Sequence, residues 1–530
     1  MMTNRFMLLF VAMCMFQFQV LSFNLSELQR ANPTNSIITG YVNPVIRGEV
    51  ADPSIIKIAD TYFAVGTSSE WAPFFPVYSS KNLTEWKLES HVFNTKPSWT
   101  SNSFWAPEFF YHNNLVYCYY TARRSSDGVS YIGVATAESP VHEFTDHGIL
   151  VEYGSEAIDA FVINDNGQLY ISWKAYGLDQ RPIELLGSKL SADGLRLEGS
   201  PFSLLRDDER IGMEGQSHYK IGDYYYLIYA AKSCCGFNSD YDVRVARSRD
   251  FKGPYEKFSG NPILYGGGND FISVGHGTLV ETPEGRMFYM CHGYVNGDNR
   301  FCGRQPVLFE MEVDNDEWLI FKDGSKASLA VGLPLTNNTQ PLLVDFLDSF
   351  KSKALSPEWT WNFPFNDVSY KQKNARLYLT GRDINNNRNG AALCVRPTSP
   401  DYAFETETFA RSNGFNGLTI YGDNDNLLAW GLENQQLVLK MTNSNTTSVL
   451  AALPFKSKKA QLKIEVSGGC MVRVYYKSKA GAWLSPEIDI IDVSSLNRWD
   501  RVFRPGLIHT ANYEEPSAFS YFNLKHIRTL

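Results

Sequence analysis

The chain has 530 residues, 44% hydrophobic and 20% charged, which is ample apolar material for packed cores and excludes a disordered chain. Its 49 Lys and Arg against 57 Asp and Glu give a net charge of −8, with no run of five basic residues, which argues against nucleic acid or an anionic membrane surface as partner. Aromatic residues make up 14%, a content suited to β-structure and to stacking on flat ligands such as sugar rings.

Residues 1–22 read as a signal peptide: Asn4 and Arg5 precede an apolar stretch running to about Phe16, and Ser22 supplies the small residue at which cleavage occurs. The stretch is too short to span a membrane, so a secreted or periplasmic location is expected. Met13 before Cys14 is larger than a lipid-transfer site takes, which argues against an anchor at Cys14. The remaining cysteines, Cys118, Cys234, Cys235, Cys291, Cys302, Cys394 and Cys470, are odd in number and lack CxxC spacing, so no zinc site is expected. One or two disulfides would suit an oxidising compartment, with connectivity undecided.

From residue 40 to 332 one pattern recurs: an acid or polar residue, alternating apolar positions, a Gly/Asn/Asp turn, and a second run rich in Tyr and Phe. The occurrences begin at Asp52, Glu108, Asp159, Glu214 and His276, at steps of 56, 51, 55 and 62 residues. Repeats of this kind predict five sheets of about four short strands around one axis, a β-propeller. The Pro, Asn and Thr residues of the 331–345 segment end this pattern. From 345 to 530 short alternating strands such as "ARLYLTG", "QLVLKM" and "MVRVYYK" predict a β-sandwich, so the chain reads as all-β with two domains.

An acid opening the first strand of successive blades would point several carboxyls at one end of the channel. Their mutual repulsion and desolvation cost stability and raise pKa values, which a structural protein has no reason to tolerate and an enzyme does. Two carboxyls flanking a substrate, one protonated and one ionised, are the machinery of glycosidic-bond hydrolysis.

The segments "VIRGEVADPSIIKI", "WAPEFF", "EAIDAFVINDNGQLYISW", "GMEGQSHYKIGDYYYLIY" and "VGHGTLVETPEGR" resemble the ordered motifs of glycoside hydrolase family 43. The resemblance implies a five-bladed propeller and single-displacement hydrolysis with inversion on arabinose- or xylose-containing plant polysaccharides. It implies Asp52 as general base, Glu214 as general acid and Asp159 as the residue that raises the pKa of the acid and orients it. Gln216 stands where the family usually has Pro. Trp105, Glu108, Arg304 and Trp71 are the candidates for binding sugar, with Phe74, Phe75 and Trp173 as further aromatic candidates. His276 is the candidate to meet a structural calcium ion on the axis, and no organic cofactor is required.

Residues 347–365 resemble the start of the jelly-roll, concanavalin A-like sandwich found in many xylosidases and arabinofuranosidases of the family, which favours exo action. The "KSCCGF" segment at 232–237 resembles one in endo-arabinanases. The expected function is therefore release of α-L-arabinofuranosyl or β-D-xylosyl units. An endo-arabinanase, a galactan-directed relative and a non-catalytic carbohydrate-binding propeller are the alternatives.

Overall fold

The computed structural model describes residues 40–527 apart from 177–181, 333–342, 344, 384, 386, 388, 412 and 511–514. The expected signal peptide, Cys14 and most of the expected interdomain boundary lie outside the described residues. Among the described residues no helix is long and apolar enough to cross a membrane.

The five acid-led or His-led segments each become the innermost strand of a four-stranded antiparallel meander. Blade 1 runs Ser54–Ile58, Thr61–Val65, Phe74–Ser80 and Lys87–Phe93, with strand order equal to chain order. Blade 2 opens with Trp105–His112, blade 3 with Ala157–Asp165, blade 4 with Met213–Ile221 and blade 5 with Phe271–Glu281. Blade 4 carries one additional strand, Leu264–Tyr265, paired to its third strand, Asp242–Ser248. Each innermost strand neighbours the next, and those of blades 1 and 5 meet to close the ring. Tyr41–Val42 pairs with Ala330–Val331, which ties the two ends of the propeller together.

The inner edges of the innermost strands have no ladder partner, and hydroxyls from adjacent blades accept from their amides. Ser54 Oγ takes the Phe109 amide, Thr278 Oγ1 the Ile55 amide, Thr121 Oγ1 the Asp159 amide and Tyr219 Oη the Leu279 amide. Apolar clusters fill the wedges between blades, as where Val65, Phe75, Phe104 and Tyr120 pack between blades 1 and 2.

The C-terminal half forms two facing antiparallel sheets. One includes Asn366–Gln372, Leu377–Asp383, Ser517–His526, Tyr402–Phe409, Lys459–Ser467 and Met471–Lys477, and the other is ordered Ala391–Cys394, Arg504–Thr510, Phe415–Asp423, Asn426–Glu433, Gln436–Asn443, Thr446–Pro454. Their alternating inward residues make one core that includes Leu418, Trp430, Leu462, Ile464 and Phe522.

The two domains are sewn together beside blade 1. Trp361–Asn362 pairs with Trp71–Ala72 as a two-stranded bridge. Val502 N–H donates to Glu49 Oε1 at 3.1 Å, and Phe301 of blade 5 sits in the sandwich core near Phe503.

Candidate active site

A backbone irregularity repeats at the same end of every blade. Asp52, Ala106, Asp159, Gly215 and His276 have φ of +50°, +40°, +58°, +60° and +49°. In blades 2 to 5 the ladder slips at this residue, a β-bulge that re-aims the side chains around it. Left-handed backbone at non-glycine residues is strained and tends to mark functional sites. The true period therefore runs through Ala106 and Gly215. Glu214 stands one residue before the axial position of its blade, and Trp105 holds that same place in blade 2.

Asp52 is buried among polar groups, and its own amide donates to His292 Nδ1 at 3.1 Å. Thr67 Oγ1 donates to its Oδ2 at 2.6 Å, and because the Ala106 amide donates to Thr67 Oγ1 at 2.8 Å, the hydroxyl proton is directed at the carboxylate. Oδ1 lies 3.2 Å from His292 Nδ1, 3.4 Å from His276 Nδ1 and 3.5 Å from Arg304 Nη1. Burial works to raise its pKa, but Arg304, His276 and His292 outweigh it and hold the carboxyl well below its usual range. Asp52 is therefore ionised.

Asp159 accepts the Gly215 amide on Oδ2 at 3.1 Å, with His276 Nδ1 at 4.0 Å. Its backbone carbonyl takes the Gln216 side-chain amide, which gives the residue in the expected Pro position a role: it fixes the strand that carries Asp159. Burial, reinforced by the charge of Glu214 and opposed by His276, pushes the Asp159 carboxyl up to about 7.

Glu214 accepts from Lys174 Nζ at 2.9 Å on Oε2 and from the Tyr241 hydroxyl at 3.0 Å on Oε1. Burial favours its neutral form, yet the Lys174 charge prevails and its pKa is lowered. The sequence-based expectation has Asp159 raise the pKa of Glu214; here the Lys174 ammonium beside Glu214 lowers it, and Asp159 is the partner whose pKa is raised.

Two glycines permit this packing. A Cβ on Gly215 would stand 2.6 Å from the His276 ring, and one on Gly275 would stand 2.3 Å from the Tyr241 ring. Tyr241 in turn stacks on His292, with centroids 5.7 Å apart.

Several expected sugar-binding residues lie elsewhere. Trp71 is 1% exposed and packs among Ala392, Cys394 and Tyr421 of the sandwich, with the Arg504 guanidinium 4.2 Å over its ring. Both domains cover it, so it has no face left for a sugar. Glu108 lies two residues past the axial position and is buried inside the propeller, hydrogen-bonded to Ser54 and pushed up to about 8 by burial. It is not among the groups around Asp52. Phe74, Phe75 and Trp173 are also core residues. Trp105 is half-buried, its ring 5.6 Å from the Arg123 guanidinium. Arg304 does reach the site: Nη1 faces Asp52, and Nη2 donates to the Asp500 carbonyl at 3.0 Å.

His276 Nδ1 faces the two aspartates, and among the described residues no group of three or more His, Cys, Asp or Glu side chains is placed to hold a metal ion. Cys234 and Cys235 are joined to each other, while Cys118, Cys291, Cys302, Cys394 and Cys470 are free thiols. The Cys234–Cys235 loop leads into Tyr241, and its Gly236 amide donates to Tyr294 Oη.

The family model "Glycosyl hydrolases family 43" matches residues 41–319, more than half of the chain. The chain belongs to glycosyl hydrolase family 43. A second model, "Beta xylosidase C-terminal Concanavalin A-like domain", matches residues 347–501. Among similar proteins is a non-reducing end alpha-L-arabinofuranosidase of Bacteroides ovatus, 30% identical over 368 residues, covering 65% of this chain and 66% of that protein, just under two thirds of its length. An extracellular exo-alpha-(1->5)-L-arabinofuranosidase of Cellvibrio japonicus is 29% identical over 303 residues, covering 51% of this chain and 85% of that one. The crystal structure of xylan beta-1,4-xylosidase from Bacillus halodurans shares the fold, with a TM-score of 0.80 at 22% identity, covering 92% of this chain and all of that chain.

Within this family 43 site, the sequence pattern did not reveal Thr67, Lys174, Tyr241, His292 or Asp500. Four of them come from second strands or connecting loops of blades, and Asp500 comes from the other domain. None belongs to the acid-led repeat.

Proposed function

We propose that this family 43 member is an exo-acting, inverting glycosidase that removes terminal α-L-arabinofuranosyl units from plant polysaccharides or their fragments. One observation carries the reading: His276 Nδ1 stands 3.4 Å from Asp52 and 4.0 Å from Asp159, and Asp159 accepts the amide of the residue after Glu214, so three carboxyls gather in one pocket, with surroundings that lower the pKa of Asp52 and raise that of Asp159. In this reading Asp52 removes a proton from the attacking water, and Glu214, paired with Asp159, delivers one to the departing oxygen. The names of the two relatives support the arabinofuranosyl choice. Trp105 and Arg304 are proposed to line the sugar subsite.

Release of β-D-xylosyl units is the second reading, favoured by the match of residues 347–501 to a xylosidase C-terminal domain. The N-terminal segment and the extracellular Cellvibrio relative support export.

The test is hydrolysis of aryl α-L-arabinofuranoside and aryl β-D-xyloside side by side, by the wild type and by Asp52→Ala, with the product anomer followed by NMR. The expected result is activity on the arabinofuranoside, an inverted first-formed anomer, and loss of at least about a hundredfold in the variant. Glu214→Ala should lose much less on substrates with activated leaving groups than on natural linkages. Wild-type silence on both substrates, or an Asp52→Ala enzyme as active as its parent, would refute the reading.

A further inference from the structure

Both oxygens of Glu214 accept from strong donors, Lys174 Nζ and Tyr241 Oη. A carboxyl held this way is an acceptor at both oxygens, whereas a general acid must present a hydroxyl to the leaving group. The Lys174 charge favours the ionised form, so its withdrawal would let Glu214 act in the role proposed above, on which this inference rests.

Tyr241 has nowhere to go: it is fully buried, stacked on His292 and pressed against the Cα of Gly275. Lys174 has an alternative. It projects from the second strand of blade 3, opposite Ile158, and its ammonium lies 4.0 Å from Glu156 Oε2 and 5.8 Å from the Tyr176 ring centroid as well as 2.9 Å from Glu214. The Glu156 side chain is 25% exposed at the start of that blade, comparable to the 20% of Glu214.

We propose that Lys174 is a positioning residue that moves its ammonium between Glu214 and Glu156 and so sets whether Glu214 is held as a carboxylate or is free to carry the proton of a general acid. With Lys174 on Glu214, the carboxylate form is favoured. When arriving substrate displaces the ammonium toward Glu156, Glu214 loses its cation, takes up a proton from water and becomes the acid. The proton neutralises the charge that the ammonium had balanced, and Glu156 takes over as the partner of Lys174.

Among the described residues, the charged and titratable groups facing Glu214 are Lys174, Tyr241, His276 and Asp159. Those facing Asp159 are His276, Glu214, Lys174 and Asp52, and those facing Lys174 are Glu214, Asp159 and Glu156. Lys174 reaches both members of the pair and Glu156, whereas His276, the other group facing both members, has Asp52 as its third carboxylate.

The experiment is the pH profile of kcat/KM for Lys174→Met, Lys174→Arg, Glu156→Gln and the Lys174→Met/Glu156→Gln double variant, on a natural linkage and on an aryl glycoside with an activated leaving group. Its basic limb reports the acid of the free enzyme. Removing the cation should move that limb up by about one pH unit or more. Glu156→Gln, which leaves the ammonium on Glu214, should move the limb down and lower kcat on the natural linkage. Lys174→Arg should stay near the wild type, and the double variant should follow Lys174→Met. The activated substrate should show little of this. A basic limb that holds its place in both Lys174→Met and Glu156→Gln overturns the proposal, as does a shift of the same sign in both. Glu156 is partly exposed, so its variant remains informative where Lys174→Met fails to fold. If Glu214→Ala retains full activity on the natural linkage, it is the acid assignment itself that fails.

Discussion

Arg304 joins two domains at one carboxylate: Nη1 stands 3.5 Å from Oδ1 of Asp52 while Nη2 donates to the Asp500 carbonyl at 3.0 Å. A sandwich loop thereby fixes the residue that keeps Asp52 charged, which gives the second domain a bearing on the chemistry of the first. Glu49 extends the link, accepting the Val502 amide and standing 3.6 Å from Arg504.

Replacing Arg304 with Met should raise the pKa of Asp52. Since a base works only when ionised, the acid limb of the kcat/KM profile should move to higher pH, by about one to three units. The same depressed pKa stabilises the fold above the unfolded value of about 3.9, and that contribution fades as pH falls toward the folded value. Arg304→Met should therefore also flatten the acid side of a plot of Tm against pH. An unmoved acid limb would show that the guanidinium does not control Asp52.

Asp159 and Glu108 make the opposite contribution. Their folded pKa values, about 7 and about 8, lie above unfolded values near 4, so the unfolded chain ionises first as pH rises. Stability should decline from about pH 4 toward pH 7 or 8, and Asp159→Asn and Glu108→Gln should each remove part of that slope in thermal melts. Activity separates them: Asp159→Asn should lose at least about a hundredfold, while Glu108→Gln should stay close to the wild type. A large loss of kcat in a well-folded Glu108→Gln would return that residue to the substrate site.

The five blades and the sandwich were legible because hairpins with alternating apolar residues leave a periodic trace; Asp52, Asp159 and His276 were legible as part of that period, and Glu214 because it stands one residue before it. Glu108 was misaligned because its blade has Ala106 at the axial position, and the nearby acid imitates the repeat. Trp71 was misplaced for a different reason. A tryptophan just after a hairpin has the same local pattern whether its ring meets a sugar or another domain, and only the partners about 300 residues away, Asn362 and Tyr421, decide. Lys174 and Tyr241 left no signal, since a polar residue on a second strand or at a loop end reads as ordinary β-hairpin chemistry.

The two tryptophans that flank the domain junction should separate binding from stability. Trp71→Ala empties a buried site and should cost about 3–5 kcal/mol, seen as a large fall in Tm, while Trp71→Phe should keep KM near the wild-type value. Trp499 is 63% exposed and adjoins Asp500, and a Cβ on Gly236 would stand 3.4 Å from its carbonyl oxygen. The exposed indole is expected to stack on the part of a substrate beyond the cleaved bond. Trp499→Ala should leave Tm and aryl glycoside hydrolysis unchanged and raise KM for oligosaccharides about fivefold, the equivalent of roughly 1 kcal/mol. Equal effects of Trp499→Ala on short and long substrates would remove it from the binding surface.

Gly215 offers the sharpest test of the bulge that shapes the site. Its φ of +60° is costly for any residue with a Cβ, and that Cβ would meet the His276 ring at 2.6 Å. His276 cannot retreat freely, because its Nδ1 stands between Asp52 and Asp159, and the Gly215 amide is itself a donor to Asp159. Gly215→Ala should therefore cost about 1–3 kcal/mol of stability and displace both the imidazole and the strand that carries Glu214. The expected result is a folded protein with Tm lowered by several degrees and kcat/KM reduced about a hundredfold or more, since misplacing reacting groups by about 1 Å is enough for such a loss. Gly222→Ala, also at positive φ (+58°) but in a turn with open space around the Cβ, is the control. It should lower Tm modestly and leave kcat/KM intact, so that a matching loss of activity in both variants would trace the effect to backbone strain rather than to the contact with His276.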